Sequence, residues 1–227
     1  MSEVNNEHSG IENVGEALSK AELFIEKNKK PIIIAVAAIV LVIGGYFVFK
    51  KAYVAPMEKE AQEQMFVAEK YFEKDSFQLA LNGDGNNWGF LKITEEYGIT
   101  KAADLAHYYA GICYLQTGNF KAAIEHLEEY DGDDKLIAPI AVGATGDAYV
   151  ELGDLKKGAK LYEKAADMSE NDFTSPLYLM KAGVIYENLK DFKKALAIYK
   201  QIKKDFPRST EGRTIDKYIT RAELLSK

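Results

Sequence analysis

A single cysteine, five prolines, three histidines and no excess of positive charge set the first limits on this 227-residue chain. Cys113 has no second thiol with which to form an intrachain disulfide or a zinc cluster, so its expected role is to pack as a small apolar side chain inside a helix. So few prolines, beside an abundance of Ala, Leu, Lys and Glu, favour helices, because straight-chain residues lose little rotamer freedom there. The formal net charge of −6 is spread along the chain, which leaves no basic surface to displace counterions from a nucleic acid. Also missing are a phosphate-binding loop ending in Gly-Lys-Ser/Thr, an HExxH pair, a nucleophile elbow and a Cys pair at metal spacing. No catalytic residue, cofactor site or metal site is therefore read from the sequence. His8 lies in the N-terminal tail, while His107 and His126 fall on adjoining helical segments where they can meet, with no third ligand predicted beside them.

One long uncharged run is present. Pro31 to Phe49 reads PIIIAVAAIVLVIGGYFVF, and as a helix rising about 1.5 Å per residue it covers the roughly 30 Å hydrocarbon core of a bilayer. Lys27, Lys29 and Lys30 before it and Lys50 and Lys51 after it can snorkel to headgroups, and Tyr46 suits the far interface. The lysine clusters at both ends, the length of the run and its lack of a polar face together argue against a buried core helix. A cleavable signal peptide would begin with a short basic region and end on a small-x-small site, whereas six glutamates precede this run and Lys50 and Lys51 follow it directly. The run reads as an uncleaved single-pass anchor over 31–49. Within about twenty residues, Lys20, Lys27, Lys29 and Lys30 on one side against Lys50, Lys51 and Lys59 on the other lean toward a cytoplasmic N-terminus and a translocated remainder. No cysteine lies near the anchor, which excludes a bacterial lipoprotein. In the tail, residues 1–30, Ile11, Val14, Leu18, Ala21 and Ile25 recur at the spacing of a short amphipathic helix, and residues 50–60 read as a linker.

Past the linker the chain repeats itself. AHYYAGICYLQTGNF (106–120), ATGDAYVELGDL (144–155) and MKAGVIYENLKDF (180–192) carry one pattern, in which Gly111, Gly146 and Gly183 are each followed three residues later by Tyr114, Tyr149 and Tyr186. Such a period predicts an array of helix-turn-helix units, each burying its apolar face on its neighbours. These residues resemble the tetratricopeptide repeat (TPR) over roughly 61–209. The clear units run 104–137, 139–172 and 176–209, with a small residue at the eighth place and Ala123, Gly158 and Ala195 at the twentieth, expected to face Gly111, Gly146 and Gly183. Phe120 and Leu127, Leu155 and Tyr162, and Phe192 and Tyr199 fill the seventeenth and twenty-fourth places. Turns are predicted at Gly118-Asn119, Gly153-Asp154 and Lys190-Asp191, a cap at Ser175 before Pro176, and a stop at Pro207. A divergent first unit, about 61–100, carries Ala68, Tyr71, Phe77 and Ala80 and then an inserted, ordered turn, LNGDGNNWGF (81–90), too poor in acids to cage calcium. TEGRTIDKYITRAELL (210–225) reads as a helix capping the array within 210–227. The fold expected is all-α: a transmembrane helix, then an α-solenoid of about four helix-turn-helix repeats with a C-terminal capping helix.

The tetratricopeptide resemblance implies a partner-binding groove lined by the first helix of each unit. Its places carried onto this sequence are Met65, Glu69 and Phe72; Leu105, Tyr108, Ile112 and Leu115; Ile140, Asp147, Val150 and Glu151; and Leu177, Met180, Val184 and Glu187. None is Lys, Arg or Asn, so holding a peptide's C-terminal carboxylate is not expected. An apolar face with scattered carboxylates suits protein segments bearing hydrophobic and basic residues.

The order of tail, anchor and repeat domain, with the text YFEKDSFQLALNGDGN and KAADLAHYYAG, is similar to the YfgM-like ancillary subunit family of the bacterial SecYEG translocon. That resemblance implies an inner-membrane protein with a cytoplasmic tail and periplasmic repeats. It also implies association with the Sec translocon and a periplasmic chaperone of the peptidyl-prolyl isomerase type, and a role in helping exported clients. An envelope scaffold linking division or cell-wall proteins to the membrane, and a receptor with repeats facing the cytoplasm, are the alternatives, since one fold serves many partners.

Overall fold

The computed structural model describes residues 22–169 and 171–227. The tail stripe from Ile11 to Ala21 lies outside them. Every regular element among the described residues is a helix, as the composition and periodicity predict. The chain divides into two compact units at Ala55 and Pro56.

In the first unit, α1 (Lys29–Phe49) contains the apolar run, and none of its residues is buried. It lies in the one helix among the described residues that is long and apolar enough to cross a membrane. Lys50–Val54, read in the sequence as the start of a linker, form a π-helical stretch.

The second unit is built from hairpins. Its elements are α2 (Ala55–Phe72), α3 (Phe77–Asn82), α4 (Phe90–Glu96), α5 (Lys101–Gln116), α6 (Phe120–Glu129), α7 (Ile137–Glu151), α8 (Leu155–Asp167), α9 (Thr174–Asn188), α10 (Phe192–Asp205), α11 (Thr210–Thr214) and α12 (Asp216–Leu225). The pairs α5/α6, α7/α8 and α9/α10 are the three clear repeats, and each second helix also packs on the next first helix, α6 on α7 and α8 on α9. The inserted stretch splits the second helix of the first repeat into α3 and α4, both of which pack on α5. Asp84 holds the intervening turn: its carboxylate accepts from the backbone N–H of Asn86 (2.9 Å) and Asn87 (2.7 Å) and from the Tyr71 hydroxyl (2.8 Å). These donors, the side-chain amide of Asn87 foremost, hold its pKa well below the usual carboxylate range. From α2, Glu58 accepts the N–H groups of Lys101 (2.7 Å) and Ala102 (3.3 Å), satisfying orphan donors at the N-terminus of α5.

One turn recurs four times. Asp75, Gly118, Gly153 and Lys190 all sit at positive φ, between 55° and 86°. In each case the next residue's N–H reaches back to the carbonyl of the eleventh-place tyrosine: Ser76 to Tyr71, Asn119 to Tyr114, Asp154 to Tyr149 and Asp191 to Tyr186, at 2.8–2.9 Å. This six-residue closure is a Schellman motif. In the last three, the same Asn or Asp then caps the second helix, its side chain accepting from Ala122, Lys157 or Lys194. Lys190 therefore holds a left-handed conformation that its repeat partners give to glycine. Lys190→Gly is expected to stabilise the protein by up to about 1 kcal/mol, the relief of the left-handed strain exceeding glycine's extra unfolded-state entropy. Urea denaturation of the two proteins measures it.

The cap predicted at Ser175 lies elsewhere. The Asn171 side chain accepts the N–H groups of Phe173 (2.8 Å) and Thr174 (2.7 Å), so α9 begins two residues earlier than Pro176 suggests. Ser175, fully buried, donates instead to the carbonyls of Ala166 and Ser169 and ties the helix to the end of α8. At the C-terminus the cap is two helices that break at Ile215. Ile215, Ile219 and Ala222 bury in one core with Ile198, Tyr199 and Ile202, which closes the end of the array.

A candidate protein-binding face on the first helices

The eighth-place glycines decide how closely each hairpin packs. A Cβ on Gly111 would lie 2.5 Å from Leu127, one on Gly183 2.3 Å from the Tyr199 ring, and one on Gly146 2.9 Å from the Tyr162 ring. The missing side chain thus makes room first for the bulky twenty-fourth place. Direct backbone approach of the eighth and twentieth places occurs where both are glycine: the Gly146 carbonyl would be 3.0 Å from a Cβ on Gly158. Ala123 and Ala195 are buried in the same cores. A further glycine escaped the sequence reading. A Cβ on Gly143 would lie 2.0 Å from the Tyr178 ring, so Gly143 lets that ring cross between α7 and α9.

First helices of successive repeats consequently lie side by side, α5 next to α7 and α7 next to α9. On them the structure places the candidate groove residues as follows. Met65 is buried in the core of the first repeat, where Phe72 and Leu105 pack against it, Phe72 edge-on to Tyr109. Tyr108, Ile112 and Leu115 pack, half-covered, against a core that joins Ala123 and Leu127 of α6 to Ala141, Ala144 and Ala148 of the next first helix. Val150 and Met180 pack on the C-terminal core, Ile140 and Val184 are half-buried, and Leu177 and Glu151 are exposed. Glu69 is half-buried, and burial pushes its pKa up, helped by Glu73.

Two of the four carboxylates on this face already have cations. Lys181 binds Asp147 through both oxygens (2.7 and 2.9 Å), and Tyr162 donates its hydroxyl to the same carboxylate. Arg221 of α12 grips both oxygens of Glu187. Each acid and its base are 34 residues apart, one repeat length, and that was the available signal. Glu69 and Glu151 make no salt bridge among the described residues.

On the opposite edge of the hairpins a second device repeats. Lys157 donates to the Tyr149 hydroxyl, and Lys194 donates to the Tyr186 hydroxyl (2.6 Å) and to Glu163 of the preceding repeat (2.8 Å), which Tyr186 also bonds. Tyr186 thus serves twice, its carbonyl closing the turn and its hydroxyl latching its repeat to the one before, while the Tyr149 hydroxyl is held within its own repeat.

His107 and His126 do meet, Nδ1 to Nδ1 at 3.2 Å, so one nitrogen donates and the other accepts. Burial lowers the pKa of both, His107 adding to the effect on His126, while Glu129 acts upward on both, with Asp104 on His107 and Glu125 on His126. A histidine whose folded pKa lies below its unfolded value stabilises the fold above that value, because acid favours the unfolded chain that binds more protons. Stability is therefore expected to fall as pH drops through 6.5. His126→Gln should flatten that slope in melting curves taken between about pH 7 and 5. Burial also pushes the Cys113 thiol up to about 12, consistent with a packing role for this fully buried residue.

Comparison with known families bears on the same residues. Tetratricopeptide repeat models match residues 94–135, 144–172 and 178–209. No curated protein matches the chain. The three matches coincide with the hairpins α5/α6, α7/α8 and α9/α10, their left-handed turns and their eighth-place glycines, and the chain carries tetratricopeptide repeats over these residues.

Proposed function

We propose that this protein is a membrane-anchored interaction module that holds segments of other proteins on the first-helix face of its repeats, with α1 as the anchor. The observation that carries this is the row of half-covered apolar side chains, Tyr108, Ile112, Leu115, Ile140, Met180 and Val184, on neighbouring first helices. Repeats of this kind bind by burying such a face rather than by chemistry. With Asp147 and Glu187 internally paired, Glu69 and Glu151 are the carboxylates on the face left to select a basic residue in the bound segment.

The setting we propose is the bacterial export channel. Support comes from the resemblance to the YfgM-like subunit family and from the lysine bias around α1, which together favour a cytoplasmic tail and periplasmic repeats beside the Sec translocon and an isomerase-type chaperone. Protease added to intact and to osmotically opened cells tests this. Cleavage of the repeats as soon as the outer membrane is opened is the expected result; protection until the inner membrane is broken would end the export reading.

A further inference from the structure

Three exposed apolar residues stand in the connections that lead into successive first helices. Ile99, Leu136 and Phe173 are 37 residues apart, each just before a first helix, and are 55%, 49% and 68% exposed. Nothing in the fold requires an apolar side chain there, since these turns are closed by Thr100, Asp134 and Asn171. Ile99 lines an open cleft of about 540 Å³ that has Leu105, Tyr130 and Ile137 in its wall, and Leu136 precedes Ile137 at its margin.

Its charge is one-sided. Asp104, Glu129, Asp131, Asp133 and Asp134 line it, with Lys101 as the cation in its wall. Two carboxylates of the later repeats, by contrast, face bases: Asp147 faces Lys181 and Glu163 faces Lys194. These five make no salt bridge among the described residues. The loop that carries them is held in shape: Asp104 accepts the Asp131 N–H (2.7 Å), and Asp134 accepts the N–H groups of Leu136 (2.7 Å) and Ile137 (2.9 Å). A cleft with that potential rejects anionic surfaces and draws cationic ones.

We infer that this cleft, at the edge of the array, docks a segment of a partner protein in which apolar side chains alternate with Lys or Arg, the apolar ones covering Ile99 and Leu136 and the bases meeting Asp131 and Asp133. Charge disfavours the other candidates: a second copy of the chain carries −6 overall, the stretch 1–21 holds Glu3, Glu7, Glu12 and Glu16 against Lys20, and an anionic lipid surface is repelled. The site shares only Leu105 with the first-helix face and stands whether or not that face binds.

The test uses the full chain in nanodiscs of zwitterionic lipid, empty discs as blank, and a fluorescein-labelled peptide of alternating Leu and Lys, read by fluorescence anisotropy. Saturable binding is expected, lost when Glu replaces Lys in the peptide and weakened by added salt. Asp131→Lys with Asp133→Lys, and separately Ile99→Ser with Leu136→Ser, should each weaken it about tenfold or more. These positions are exposed, so circular dichroism should remain unchanged. Met180→Ser, on the first-helix face, should leave it intact. No saturable binding, equal binding of the Glu peptide, or indifference to the Asp131/Asp133 change overturns the inference. Loss in Met180→Ser alone would assign the peptide to the first-helix face and overturn the cleft while sparing the proposed function.

Discussion

Gly183→Leu will lower the unfolding free energy by about 3 kcal/mol or more, the upper range for forcing extra methylenes into a packed core. The Cβ alone would lie 2.3 Å from the ring of Tyr199, which is fully buried between α9, α10 and the cap, with the Tyr218 ring 5.4 Å away. The ring has no free direction in which to move, so the helices must separate. A shift of roughly 6–12 °C in the melting temperature follows from the size of the domain. The cause can be isolated. Gly183→Ala should be less damaging when Tyr199→Leu is also present than in the native background, because the shorter side chain removes the colliding atoms. Simple addition of the two effects would show that Gly183 matters for some other reason.

Ile215→Ala is the second large effect, about 2–5 kcal/mol for a buried isoleucine cut to alanine. Its consequence should be local as well as large. Ile215 is fully buried where α11 meets α12 and helps hold the cap over Ile202 and Tyr199. In a repeat array each unit leans on its neighbours, so loosening one end lets the structure unravel from there. Hydrogen exchange in this variant should show amides of α10 losing protection first and those of α5 and α6 keeping theirs. Uniform loss along the array would mean that it unfolds as one block.

The features that the sequence displayed openly are those that recur with the repeat. Gly-x-x-Tyr, the turn residues and the bulky twenty-fourth place appear three times, and each appearance supports the others. The Schellman turns at Gly118 and Gly153 could be read directly, and that at Lys190 only by register, since lysine carries no sign of a left-handed conformation. Side chains reaching across repeats were harder to see. Lys181 on Asp147 and Arg221 on Glu187 depend on long, flexible stems whose heads can go to several partners, so a spacing of 34 residues becomes meaningful only once the helices are placed. Ser175 looked like a cap because serine before proline so often is one; Asn171, with an amide able to reach two N–H groups, took the position and freed Ser175 to bind α8. The close meeting of His107 and His126 was visible as a chance of register, and its geometry was not.

The candidate face stands on weaker sequence signals than the fold does. Its places came from the tetratricopeptide pattern, and eight of its eleven apolar members turn out to be shared with packing in or against the hydrophobic cores. That dual use is physically reasonable, since an apolar row left fully open would itself promote aggregation.

Site-specific photocrosslinking from Tyr108 and Met180, with exposed Lys160 on α8 as the control, tests the central claim most directly. In cells producing the full chain, both face positions should capture proteins in transit through the export channel, and Lys160 should not. Adducts with one fixed partner only, or equal capture from Lys160, would contradict an account in which the first-helix face receives passing protein segments.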